Sequence, residues 1–458
     1  MRSALEKYFD TLKGKRIVVV GMGISNMPLI EKMLEAGLNV TACDKRGREA
    51  FNGLIESLER KGLQVYLGPD YLEHLDQADL IFRTPGMRPD LPQLTRATER
   101  GAELTSEIEV FFSLCPCRII AVTGSDGKTT TTTIIAGMLK QAGYRVFVGG
   151  NIGHPLLCEV DNINPDDIVV LELSSFQLMT MEQSPSIAVV TNLAPNHLDV
   201  HKDMEEYIAA KRNIFAYQDS GDRVILNADN DLTAAFAEQA RGAVTLFSRR
   251  RQLDRGVCLK DGKIVYHNRP VLAAEDILLP GLHNLENYMA AIAAVDGLVP
   301  DEVIRSFAGT FGGVPHRIEL VRELDGVRWY NDSIASSPSR TIAGLRSFKQ
   351  KVILIAGGYD KHIPYDVLGP QIVESVKELF LTGNTAEKIR QATQSAPGYQ
   401  PGCPNITMCE NLKETVERAH AAAEPGDVVI LSPASASFDR FKNFEERGNV
   451  FKDYVNAL

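Results

Sequence analysis

At 458 residues the chain exceeds one ordinary core, and at about 150 residues per domain it is sized for three. With 44% hydrophobic and 24% charged residues it is neither disordered nor fibrous, and no window approaches the roughly 18 apolar residues of a membrane span. A net charge of -10 argues against the basic surface of a nucleic-acid binder, although local lysines and helix N-termini can still hold an anion.

Residues 1–15 carry Glu6, Lys7, Asp10 and Lys13 without an apolar h-region, so no signal peptide is read there and a cytoplasmic location is expected. The seven cysteines show no repeated spacing and form no disulfide framework. Cys115 and Cys117 flank Pro116, a spacing that fits neither a redox CxxC nor a zinc knuckle, and they are read as free thiols.

Short apolar runs at 16–20, 40–43, 80–82, 119–122, 168–171, 187–191, 224–226, 352–356 and 428–431 alternate with helical stretches. The alternation predicts βαβ units, mainly parallel sheets and an α/β class. The pattern restarts after about Thr105 and again near Gly312-Gly313-Val314-Pro315, whose Gly/Pro content marks a linker. Expected domains are 1–106, Rossmann-like; 107–313, a central P-loop ATPase-like domain; and 314–458, again Rossmann-like.

The first strand runs into Gly21-Met22-Gly23-Ile24-Ser25-Asn26, with Asp44 closing the next strand. This partly matches a dinucleotide fingerprint, in which glycines let backbone approach phosphate and the acid binds a ribose hydroxyl. Asn26 stands where the third glycine belongs, which leaves NAD or FAD, another nucleotide or a structural turn as readings.

Strand 119–122 leads into Thr123-Gly124-Ser125-Asp126-Gly127-Lys128-Thr129-Thr130 and a helix. Backbone N–H groups of Gly124, Ser125, Asp126 and Gly127 can cradle phosphate, Lys128 can neutralise the β/γ-phosphates, and Thr129 can ligate Mg2+. A full P-loop would have glycine at Val122, so this is a shortened variant of an ATP loop.

Glu172 ends strand 168–171, where an acid faces the ligand crevice, and it is expected to be a metal ligand rather than a strand-end glutamate in solvent. His197, in Asn196-His197-Leu198-Asp199 after the next strand, is open between metal ligand and ordinary histidine, because Mg2+ prefers oxygen. Lys211, in Tyr207-Ile208-Ala209-Ala210-Lys211-Arg212, reads by composition as a solvated helix lysine.

Together with Gly149-Gly150-Asn151-Ile152-Gly153, Leu173-Ser174-Ser175-Phe176-Gln177, Gly281-Leu282-His283-Asn284 with Asn287, and Val314-Pro315-His316-Arg317, these segments resemble the Mur ligases, ATP-dependent amide ligases of peptidoglycan precursor synthesis. The run 431–448, from Leu431-Ser432-Pro433 to Glu446-Arg447-Gly448, resembles the branch that adds D-glutamate. The resemblance implies UDP-N-acetylmuramoyl-L-alanine and D-glutamate as substrates, an acyl-phosphate intermediate and a monomer. The first domain would then hold UDP through Ile24, Ser25, Asp44, Lys45 and Gly86.

By the same likeness Lys211 would be carbamylated. Thr129, Glu172, His197 and the carbamate would hold two Mg2+, with Lys128 on the phosphates. Asn284, Asn287, Arg317 and Asp332 would bind ATP, Asn151 and Ser174 the substrate, and Ser336, Lys361, Ser437 and Phe444 the D-glutamate. Ile334 departs from the family, which often has lysine there. Other readings are a folylpolyglutamate-type ligase, a phosphate-loop ATPase switch or an NAD-dependent oxidoreductase, and the last leaves the second phosphate loop unexplained.

Overall fold

The computed structural model describes residues 2–51, 53–195, 200–279, 281–361 and 363–458. Contacts gather the chain into two compact units, 1–276 with 283–307, and 277–282 with 308–458. Among the described residues the strands form three sheets.

In the first unit β1 (Ile17–Val20), β2 (Val40–Asp44), β3 (Gln64–Leu67), β4 (Leu80–Arg83) and β5 (Glu103–Thr105) lie in the order β3-β2-β1-β4-β5, every pair parallel. Chain direction across the sheet reverses at β1, and open α/β sheets bind ligands at the carboxyl ends of strands beside such a reversal. Ile17–Val20 and Leu80–Arg83 are buried throughout, as expected of strands covered on both faces.

The same unit holds a nine-stranded sheet: β6 (Arg118–Thr123), β7 (Val146–Gly150), β8 (Ile168–Glu172), β9 (Ile187–Val190), β10 (Arg223–Asn227), β11 (Ala243–Ser248), β12 (Val257–Lys260), β13 (Lys263–Tyr266) and β14 (Arg269–Ala273). Their order is β14-β13-β12-β11-β10-β9-β6-β8-β7, parallel as far as β12, with β12, β13 and β14 an antiparallel meander. β6 lies between β8 and β9, so the loop after it opens at the second reversal point. One continuous core joins both sheets, running from Phe9 and Ile17 through Phe111 to Val169 and Phe215.

The second unit carries β15 (Glu319–Leu324), β16 (Val327–Asn331), β17 (Val352–Ala356), β18 (Val376–Leu381), β19 (Asn405–Met408) and β20 (Val428–Leu431), in the order β15-β16-β20-β17-β18-β19. Only the β15–β16 hairpin is antiparallel in this set. Separate apolar clusters fill its two faces, one around Leu354 and Ile372, the other around Trp329, Val416 and Phe451.

Candidate active site

The loop after β6 turns on two glycines that no other residue replaces without strain. Gly124 has φ 150° and Gly127 φ 78°, and an added Cβ would strike Thr191 Oγ1 at the first and Asn287 Oδ1 at the second. Gly127 caps the helix Lys128–Gln141, whose N-terminus therefore points its free N–H groups into the loop. Other bonds fix the loop from outside: Ser125 N–H donates to Asn192 O at 2.9 Å, Asp126 N–H to Asn192 Oδ1 at 2.9 Å, and Thr191 Oγ1 to Asp126 O at 2.6 Å. Thr130 follows in the first turn of the helix, partly buried.

Lys128 Nζ donates to Gly124 O and Ser125 O, both at 2.9 Å. Lys211 reaches the same carbonyl from the helix Met204–Ala216, its Nζ donating to Gly124 O at 2.8 Å and to Thr123 Oγ1 at 3.2 Å. The solvated reading of Lys211 is thereby corrected: the residue is 1% exposed. Its helix packs Tyr207, Ala210, Lys211 and Ile214 on one inward stripe, and the ammonium sits 4.9 Å from the Tyr207 ring centre. Burial first, and then the charge of Lys128, hold its pKa well below the ordinary lysine range, while Glu172 and Asp126 act in the opposite direction.

Glu172 is likewise buried, not solvated. Its Oε2 accepts from Thr129 Oγ1 and its Oε1 from Asn151 Nδ2, each at 2.7 Å, so among the described residues its side-chain hydrogen bonds come from neutral donors. Asn151 N–H also donates to Glu172 O at 2.8 Å. Ser174 opens the next helical turn as its N-cap, in a reciprocal box with Gln177. His197, with Asn196, Leu198 and Asp199, lies outside the described residues. Among the described residues no three His, Cys, Asp or Glu side chains converge as a metal cluster.

A cavity of about 110 Å3 beside the loop is walled by Gly127, Thr191, Phe247, His283 and Asn287. Asn287 Nδ2 donates to Asn284 Oδ1 at 2.9 Å and Thr131 Oγ1 to Asn287 Oδ1 at 3.2 Å, which ties the helix Leu282–Ala294 to the phosphate-loop helix. Arg317 and Asp332 belong to the second unit. There Arg317 is exposed, while Asp332 is buried, accepting from Ser432 Oγ at 2.7 Å and from Ile318 N–H at 3.3 Å. Burial pushes its pKa up to about 7.

At the first reversal point a cavity of about 590 Å3 is bounded by Gly21, Asp44, Lys45, Gly86 and Arg88. Ile24, 83% exposed, and Ser25 lie outside that wall. Asp44 accepts from Met22 N–H at 2.7 Å and from Arg46 Nη2 at 2.8 Å, and the guanidinium and amide bonds hold its pKa below the usual carboxylate range despite burial. Asn26, the odd residue of the fingerprint, is buried, and its Nδ2 donates to Gly21 O at 2.9 Å.

In the second unit Ser437 is buried, Ser336 and Phe444 half-buried, and Lys361 exposed. A narrow cavity at the ends of β17 and β20 is lined by Gly357, Gly358, Asp439 and Arg447, and the four predicted residues are not in its wall.

Two residues that sequence reading passed over organise these sites. Arg447, 3% exposed, donates through Nε to Ser333 Oγ, through Nη2 to Ser333 O, and through Nη1 to Ser435 O and Ala436 O. It therefore staples the loop carrying Ser336 to the loop carrying Ser437. Arg88, on the wall of the larger cavity, pairs at 2.8 Å with Glu206, five residues before Lys211, and His201 Nε2 meets Ser175 Oγ at 2.9 Å beside it.

Known proteins place this geometry. Residues 15–106 match the profile "Mur ligase MurD-like, N-terminal domain", 122–295 "Mur ligase middle domain" and 316–435 "Mur ligase, glutamate ligase domain". The chain is 54% identical over 465 residues to the UDP-N-acetylmuramoylalanine--D-glutamate ligase of Acetivibrio thermocellus, and 52% identical to that of Ruminiclostridium cellulolyticum, with 100% of each chain covered. Among solved structures, the UDP-N-acetylmuramate-alanine ligase of Thermotoga maritima shares the fold at TM-score 0.56 and 19% identity, covering 97% of this chain and 99% of that one. The Thermotoga maritima MurF ligase, in complex with ADP, does so at TM-score 0.54 and 16% identity, with 100% of both chains covered.

Proposed function

We infer the reaction from one premise, that this chain belongs to the Mur ligase family. It is an ATP-dependent amide ligase that joins D-glutamate to UDP-N-acetylmuramoyl-L-alanine, releasing ADP and phosphate, in cytoplasmic peptidoglycan precursor synthesis. The observation that carries the chemistry is the convergence of Lys128, Thr129, Glu172 and Lys211 on one loop. The amino acid and the nucleotide sugar come from the full-length relatives that carry this activity in their names.

Joining a carboxylate to an amine in water is uphill until the carboxylate gains a leaving group. The carboxylate of the L-alanyl substrate attacks the ATP γ-phosphate, and ADP leaves. The amine of D-glutamate then attacks the acyl phosphate, and the tetrahedral intermediate expels phosphate. Gly124 to Gly127 and the helix N-terminus hold phosphate oxygens through N–H groups, and Lys128 swings its ammonium onto the charge that builds between β- and γ-phosphates. Asn284, Asn287, Arg317 and Asp332, with Thr130, complete the ATP set.

The oxygen donors fit divalent cations. Glu172 is a buried carboxylate that accepts from the neutral Thr129 and Asn151 side chains, with a hydroxyl at its side. Thr129 and Glu172 would hold one Mg2+, and His197 with Lys211 a second; the ions would supply charge neutralisation for the two anions that must meet. Lys211 suits carbamylation, because a buried amine that sheds its proton is the nucleophile CO2 requires. The product is an anion set beside the Lys128 ammonium, whose charge disfavours a second ammonium there.

The remaining assignments follow the family. Domains are taken as 1–106, 107–313 and 314–458, and the protein as a monomer. Ile24, Ser25, Asp44, Lys45 and Gly86 take the UDP moiety, Asn151 and Ser174 the muramoyl end, and Ser336, Lys361, Ser437 and Phe444 the D-glutamate. Both oxygens of Asp44 are engaged by Met22 and Arg46, which fixes the carboxylate at the cavity wall.

Phosphate release measured with UDP-N-acetylmuramoyl-L-alanine, comparing D-glutamate with L-glutamate, L-alanine and L-lysine, tests the reading. Release should require both the nucleotide sugar and D-glutamate. Release independent of both would overturn it.

A further inference from the structure

We propose that Cys115 and Cys117 are a dithiol modification site, oxidised reversibly to an intramolecular disulfide by a low-molecular-weight disulfide. The helix Glu107–Leu114 ends in an extended Cys115 (φ -64°, ψ 121°), and Pro116 returns the chain into β6. Residues two apart on extended backbone point the same way, and here the sulfurs lie 3.8 Å apart. Both side chains are half-buried, within reach of a small reagent.

The pair also divides its chemistry. The hydrogen bond from Cys117 holds the Cys115 thiol below its ordinary range, and the same bond raises Cys117. An accessible thiol whose ionisation is eased, beside a second thiol 3.8 Å away, is the arrangement of an attacking and a resolving cysteine. The other cysteines lack one property or the other. Cys43 and Cys158 are buried, with thiols pushed up to about 12; Cys258 is buried; Cys409 is pushed up to about 11; and Cys403 is exposed, with no sulfur neighbour described.

The balanced step has two displacements. Cys115 thiolate attacks one sulfur of the disulfide RS–SR, forming Cys115–S–SR and expelling RS⁻, which takes a proton. Cys117 gives up its proton, attacks Cys115 Sγ and expels the second RS⁻, so two protein thiols are oxidised and one external disulfide is reduced to two thiols. A ring closed over one intervening residue is strained, so the bond is readily reduced again and suits regulation or protection rather than structure. The site lies at the far end of β6 from the phosphate loop, about 20 Å away along the strand, and does not depend on the reaction proposed above.

Trypsin releases both cysteines, and no others, in peptide 101–118, between Arg100 and Ile119. The full chain is incubated with glutathione disulfide, remaining thiols are alkylated, and the digest is weighed. The expected result is a 101–118 peptide lighter by two hydrogens than its thiol form and not alkylated, restored to two alkylated thiols by dithiothreitol. Cys117→Ser should trap glutathione on Cys115, and Cys115→Ser should slow modification of Cys117 at least about tenfold. A wild-type peptide that stays fully alkylated while Cys403 takes glutathione, or that retains glutathione itself, would overturn the proposal. The wild-type measurement decides the matter even if neither variant folds.

Discussion

Replacing Lys211 by methionine should separate activity from stability. The side chain keeps its length and loses its charge, and the bonds it leaves are covered: Gly124 O still accepts from Lys128 at 2.9 Å, and Thr123 Oγ1 still donates to Leu173 O at 2.7 Å. Two hydrogen bonds of about 1 kcal/mol each and a cation–π contact of about 0.5–1 kcal/mol are lost. Against this, a cation at 1% exposure beside Lys128 is removed, and exchanging buried charge for apolar volume is often neutral or stabilising by about 1–4 kcal/mol.

The net change should be near zero, within about 2 kcal/mol, while kcat falls at least about 10²-fold because the proposed metal set loses a ligand. The pH dependence has a definite sign. The folded pKa lies below the unfolded 10.5, so the wild type carries a penalty at low pH that is relieved as pH rises through the folded value toward 10.5; the variant's relative stability should therefore be greatest at low pH. Phosphate release and thermal unfolding across pH give both readouts, and short carboxylic acids should partly restore turnover. Full activity in the variant would refute the carbamate argument, and a collapse in stability would refute the reading of Lys211 as a functional rather than a structural residue.

Glu172→Gln should lower kcat by at least about 10²-fold with little change in the KM for the nucleotide sugar, since the amide keeps the volume but withdraws the negative charge, as steady-state phosphate release will show. Arg447→Met should raise the KM for D-glutamate more than that for ATP and cost about 2–4 kcal/mol in urea unfolding, because four buried acceptors lose their donor. Glu107, buried with Leu157 N–H at 2.7 Å, has its pKa raised from 4.5 to about 7 by desolvation. Stability it contributes below the unfolded value is lost as pH rises through about 7, on the order of 3 kcal/mol in full. Glu107→Gln should flatten that slope in denaturant titrations at pH 5 and pH 8, and an unchanged slope would exclude the assignment.

Strands β1, β6, β8 and β17 were legible because they are buried on both faces and read as unbroken apolar runs. The meander β12 to β14 and the hairpin β15–β16 were not read, since their residues alternate with exposed charge. Yet their turns carried a signal. Asp261-Gly262, His267-Asn268 and Asp325-Gly326 all take positive φ at both central positions, as two-residue hairpins of the primed type require, and two of the three are Asp-Gly.

The site divided in the same way. The phosphate loop and Glu172 follow from local order of strand, glycine and helix, whereas Lys211 looked solvated because composition ignores which face a helix buries. Its spacing from Tyr207 and Ile214 marks an inward stripe, and Arg447 shares another with Phe451 and Val455. A cation on an apolar stripe was the available clue. What no local pattern supplies is the partner set, because Ser333 and Ala436 meet Arg447 only through the sheet.

The contact between Gly127 and Asn287 constrains how this enzyme can diverge. Position 127 is fixed twice, by its left-handed backbone and by the amide above it, so trimming Asn287 would not open it to other residues. Position 287 is held by its own amide, which donates to Asn284 Oδ1 and accepts from Thr131 Oγ1 in the space the glycine leaves. The coupling is thus one-sided: a mutation that reaches the loop first has no second change at 287 that repairs it, because the left-handed backbone at 127 persists whatever side chain stands opposite.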